Sequence, residues 1–171
     1  MEDLPQFTDS DLFALYGSVM RELLRRRLVR TANAPAGDYA EYLVALTLGG
    51  QLAPNSVKSW DLKTSAGTRV QIKCRVVGEP PKIGERQLSP FRSFEFDDLV
   101  IVLFAPDYSV KRAVRMPVDT VKALSRRRSH VNGHVLIATD PVLSAANSVD
   151  ITEAIRTAAE RAPEARSGVR P

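Results

Sequence analysis

Thr68-Arg-Val-Gln-Ile-Lys-Cys-Arg-Val-Val77 alternates strictly, with Val70, Ile72 and Cys74 on one face and Arg69, Gln71, Lys73 and Arg75 on the other. Period-two alternation with β-branched residues predicts a half-buried strand. Upstream, Ser59-Trp-Asp-Leu-Lys63 alternates the same way, with Trp60 and Leu62 opposite Asp61 and Lys63. Ser65-Ala-Gly-Thr68 lies between the two runs, and Gly67 supplies a residue that takes positive φ without steric cost. The two runs therefore predict a hairpin, with Asp61 opposite or next to Gln71. Directly opposed residues of an antiparallel pair have Cβ atoms about 5 Å apart. A carboxylate, a carboxamide and an ammonium then share one face of a small sheet.

That grouping suits a hard divalent cation. Mg²⁺ takes oxygen ligands and keeps several waters. Asp61 offers a carboxylate oxygen, Gln71 its side-chain carbonyl, and Ile72 its peptide carbonyl. Lys73 cannot bind a cation, but it can orient or deprotonate an attacking water or offset charge on a phosphate. Mn²⁺ is the expected substitute metal.

Asp61, then Gln71-Ile-Lys73, with Glu41 on a helix before them, resembles the PD-(D/E)XK superfamily of nucleases. The family's pattern is an acid on one strand, acid-x-Lys on the next, and often a glutamate on the first core helix. Trp60-Asp61 stands where Pro-Asp is usual, and Gln71 replaces the usual acid. The resemblance spans roughly residues 37–105. It implies an α/β (α+β) restriction-endonuclease-like fold, a mixed central sheet of four to six strands flanked by helices. It also implies a Mg²⁺-dependent endonuclease acting on DNA in restriction, defence or repair. Glu41, Asp61, Gln71 and Lys73 become the expected catalytic set, with Glu41 binding metal directly or from one step behind. Two alternatives fit the same residues. One is a non-catalytic DNA-binding module on this fold. The other is a protein-interaction component of a defence system.

A chain of 171 residues predicts a single domain, residues 1–163, with an N-terminal helical part (1–30), a core (37–140) and a disordered tail (164–171). Hydrophobic content of 44% suffices for a core, and the net charge of +4 permits nucleic-acid binding. No apolar run approaches the ~20 residues a membrane span needs. The acidic start, Met-Glu-Asp-Leu-Pro, argues against a signal peptide, and the lone Cys74 excludes an internal disulfide. A cytoplasmic protein is expected, and a homodimer is left open. Arginines cluster at Arg25, Arg26 and Arg27 and again at Arg126–Arg128. With Ser56, Lys58, Arg75, Arg86 and Arg92, the first cluster makes up the expected DNA contacts.

Further along, Thr8 and Asp11 predict a capping box for a helix over Ser10–Leu28, with Leu12, Leu15, Tyr16, Val19 and Leu23 as its apolar stripe. A second helix starts near Pro35 or Gly37 and stops at Gly49-Gly50, with Tyr42, Leu43, Ala45 and Leu46 turned inward. Residues 51–58 predict a loop in which Ser56 and Lys58 face the substrate and Asn55 serves a plain turn. Residues 79–93, polar and carrying three prolines, predict a long loop over the site, with Arg86, Gln87, Ser89 and Arg92 as contacts. Leu99–Ala105, continuously apolar, predicts a central strand buried on both faces. Val110–Met116, Pro117–Leu124, His134–Ala138 and Ile151–Arg161 predict a strand, a short helix, a strand and a last helix. His130 and His134 flank a turn without an acid at ligand spacing, so they are expected to be structural.

Overall fold

The computed structural model describes residues 4–54 and 59–161. Asn55, Ser56 and Lys58, and the expected tail 164–171, lie outside the described residues.

Thr8 caps α1 (Asp9–Arg25) through the expected box, its side chain and the Asp11 carboxylate each accepting from the other's backbone N–H. α2 (Ala36–Leu48) follows Pro35 and ends at Gly49, whose φ of 68° turns the chain out of the helix. Gly50 continues the reversal at φ 115°, packed so tightly that an added Cβ would lie 2.2 Å from the Lys63 carbonyl oxygen. This close approach brings β1 (Gln51–Leu52) beside β2 (Leu62–Lys63), so the expected loop after α2 begins with a strand pair. β2 then pairs antiparallel with β3 (Arg69–Val76), matching Leu62 with Val70 and Lys63 with Arg69.

β3 runs parallel to β4 (Asp98–Phe104), and β4 runs antiparallel to β5 (Val110–Pro117). After α3 (Val118–Leu124) come β6 (Arg126–Arg128), β7 (Gly133–Val135), α4 (Asp140–Leu143), β8 (Val149–Asp150) and α5 (Thr152–Arg161). Among the described residues these make one mixed sheet of six strands, ordered β1-β2-β3-β4-β5-β8, five α-helices, and a separate two-stranded ribbon, β6–β7. No described helix is long and apolar enough to cross a membrane.

β4 is apolar throughout because it feeds two cores. Val100, Val102 and Phe104 pack on one side with Leu43, Val44 and Ile155 from α2 and α5. Leu99, Ile101 and Leu103 pack on the other with Leu88, Phe91, Phe96 and Leu136. Each such side chain, fully buried, contributes about 1.5–3 kcal/mol.

Several expectations are corrected. Ala40, Leu43 and Val44 are the buried face of α2, whereas Leu46 is 44% exposed. Tyr42 and Ala45 pack against the first core as partly buried neighbours. Residues 79–93 are not a free loop, for Leu88 and Phe91 are buried and bridge Leu136 and His134 through backbone hydrogen bonds of 2.8–3.0 Å. That segment is a wall of the second core. β3 is covered on both faces along its first half, and Gln71 is 7% exposed. On α1 only Met20 is buried, and Leu12, Phe13, Tyr16 and Val19 remain exposed.

Candidate active site

β2 is only two residues long, so β3 loses its strand partner on that side beyond Val70. The last ladder-like contact is Asp61 N–H to the Val70 carbonyl, at 2.9 Å. Where the next pairing would fall, the Asp61 side chain takes over. Its Oδ2 accepts the Ile72 backbone N–H at 2.6 Å and also the Gln71 side-chain amide. Both polar groups of a strand residue leave on the same side, so the Ile72 carbonyl opens toward this gap as well.

The gap is a cleft of about 530 Å³ whose walls include Glu41, Asp61, Gln71, Ile72, Lys73 and Arg75. α2 supplies Glu41 from beside the buried Ala40. Lys73 lies over the Phe91 ring, its Nζ 5.5 Å from the centroid. Arg75 is held at the mouth, its Nε donating to the Gln87 carbonyl at 2.6 Å. Ser89 also lines the cleft.

Burial sets the electrostatics. It pushes the Glu41 carboxyl up to about 7, helped by the neighbouring Asp61 and opposed by Arg30. It raises Asp61 as well, against the hydrogen bonds from Ile72 and Gln71 and the charge of Lys73. It lowers Lys73, against the attraction of Asp61 and Glu41. Two carboxyls that resist ionisation and a lysine that sheds its proton more readily are the mark of a partly desolvated site that disfavours charge of either sign.

Arg30 is a site residue that the sequence reading missed. Its guanidinium pairs with Glu41 and donates to the Ala53 carbonyl at 3.1 Å. Its backbone N–H donates to Asp38 at 2.7 Å, and Asp38 also accepts from the Thr31 backbone. Arg30 reads in sequence as one more cation of a basic run. The available signal was Asp38 and Glu41, three apart on one helix face and facing the preceding arginine.

The other expected contacts among the described residues do not line this cleft. Arg86 pairs with Asp140, and Arg92 donates to the Asn132 carbonyl. Arg25 and Arg26 pair with Glu22 on α1, and Arg27 is exposed at that helix's end. His134 packs edge-on against Phe94. A larger, mostly apolar groove of about 1030 Å³ lies between α1 and α5. It adjoins the cleft at Ala34 and Tyr108 but holds no carboxylate–lysine set.

The donors around Asp61 fit a hard cation. Carboxylate oxygens of Asp61 and Glu41, the Gln71 amide oxygen and the Ile72 carbonyl are all oxygen ligands of the type Mg²⁺ prefers. Among the described residues no three His, Cys, Asp or Glu side chains gather into a metal-binding group. A cation here would rest on two carboxylates, neutral oxygens and water. No family model matches this chain, and no match was found among curated proteins.

Proposed function

We propose that the chain is a divalent-metal-dependent nuclease acting on DNA, built on a restriction-endonuclease-like core. The observation that carries the reading is the convergence of Asp61, Gln71, Lys73 and Glu41 on one cleft at the point where β2 stops. Asp61, Gln71, the Ile72 carbonyl and Glu41 would hold Mg²⁺ or Mn²⁺. When bound, the ion offsets charge building on the phosphate and lowers the pKa of water. Lys73 aligns the attacking water and takes or shares its proton, which its lowered pKa favours. Phe91 beneath the ammonium fixes its position and excludes solvent from one side. Arg30 holds Glu41 in place until a cation competes for it.

One observation favours a second reading, a DNA-binding module without catalysis. The Gln71 amide donates to Asp61 and so satisfies the carboxylate without any metal. Cleavage of plasmid DNA in Mg²⁺ or Mn²⁺, absent with chelator and lost in Asp61→Ala, tests the nuclease reading. Duplex binding without cleavage in either metal favours the module.

A further inference from the structure

Arg126, Arg127 and Arg128 form β6, and all three are exposed. Half of the arginines in the described chain have an acid beside them: Arg25 and Arg26 share Glu22, Arg69 pairs with Asp97, and Arg115 pairs with Asp98. Among the described residues no ion-pair partner is found for the three in β6. Three adjacent like charges repel one another. Side chains alternate along a strand, so Arg126 and Arg128 lie on one side, roughly 7 Å apart, with Arg127 on the other.

The ribbon is also firmly mounted. β7 pairs with β6 in the register Arg126 to Val135, Arg127 to His134 and Arg128 to Gly133. The other edge of β7 is fastened to Phe91 by His134 N–H to Phe91 carbonyl, 2.9 Å, and Phe91 N–H to His134 carbonyl, 2.8 Å. Gly133 allows this approach, since a Cβ there would sit 2.8 Å from the Phe91 carbonyl oxygen. Phe91 is the ring beneath Lys73. The same segment receives Arg75 at Gln87, and Arg92 reaches the ribbon's turn at the Asn132 carbonyl, 3.1 Å. A rigid, uncompensated basic ribbon therefore stands one segment away from the cleft.

The geometry points to the β6–β7 ribbon as the arm that grips the sugar–phosphate backbone of the DNA presented to the cleft, an assignment that rests on the nuclease reading above. Guanidinium groups match phosphate oxygens in bidentate fashion. A two-stranded ribbon is also narrow enough for the major groove, about 12 Å wide. The grip reads no sequence. It sets the register of the duplex against Lys73.

The test is duplex binding by the full chain in chelator, so that no strand is cut, with affinity followed across a salt series. Each lost phosphate contact removes about 0.9 from the log–log salt slope. The variant Arg126→Gln/Arg127→Gln/Arg128→Gln is expected to flatten the slope by about 2–3 units. Arg126→Lys/Arg127→Lys/Arg128→Lys is expected to keep the slope with weaker affinity. Arg25→Gln/Arg26→Gln should change it little, because Glu22 already occupies both side chains. The substituted side chains are exposed, and circular dichroism checks that the variants fold. Wild-type slope in the triple Gln variant overturns the assignment and leaves the nuclease reading standing. Competition by polyglutamate as strong as by duplex overturns it in favour of an acidic protein surface. Wild type that binds no nucleic acid overturns both readings together.

Discussion

The backbone nitrogen of Ile72 lies 2.6 Å from Oδ2 of Asp61, so a side chain closes a ladder that the strand itself abandons. The Gln71 amide donates to the same oxygen. Asp61 is thus a structural acceptor as well as the expected metal ligand. Asp61→Ala should strip two donors of their partner and cost about 1–3 kcal/mol in urea unfolding. Asp61→Asn keeps an acceptor oxygen and should cost clearly less. Equal losses in the two variants would show that these bonds matter little.

Gln71→Glu should separate stability from metal affinity. It sets a second carboxylate beside Asp61 in a site only 7% exposed at Gln71. Without a cation the two acids repel, and at pH 8 in chelator the melting temperature should fall by about 3–10 °C. Added Mg²⁺ should raise it more in the variant than in wild type, because the extra charge tightens binding to the folded state. The same Mg²⁺ shift in both proteins would mean that position 71 does not face the ion.

Glu41 makes a pH-dependent contribution. Its carboxyl is pushed up to about 7 in the fold, from an ordinary value of 4.5. The folded state therefore binds the proton more tightly, and ionisation opposes folding as pH rises from about 4.5 through 7. Glu41→Gln cannot ionise. In metal-free protein it should gain on wild type by about 1–2 kcal/mol between pH 5 and 8, the carboxyl's partial exposure to solvent reducing the full effect. Denaturant midpoints at the two pH values measure this, and a gap that narrows with pH would contradict it.

What the sequence made legible follows from how far its signals reach. Gln71-Ile-Lys73 alternates within one strand, and Asp61 lies one turn away, so local pattern sufficed to bring them together. Leu99 to Phe104 read as a central strand because its apolar run has no wet face to mark. The wall over Lys73 was not legible. Leu88 and Phe91 sit singly among prolines and polar residues, and only their contacts with Leu136 and His134, far along the chain, make them core. β1 was hidden for a similar reason, since two residues carry no periodicity.

Gly50→Ala tests the reversal that brings β1 to β2. The new Cβ would meet the Lys63 carbonyl at 2.2 Å, and φ of 115° disfavours any side chain. The expected cost is about 2–4 kcal/mol of stability. A thermal midpoint like that of wild type would show that the hairpin is not held there.

The central claim is that this cleft cuts DNA. The most direct measurement is the single-turnover rate of plasmid nicking at saturating Mg²⁺ for wild type, Asp61→Asn and Lys73→Met. The two substitutions keep the acceptor and the packing over Phe91, respectively. Both should slow cleavage by about 10²–10⁴-fold, while duplex affinity in chelator stays within a few-fold of wild type. A wild type that cuts, with either variant cutting at the same rate, would place the chemistry elsewhere on the chain.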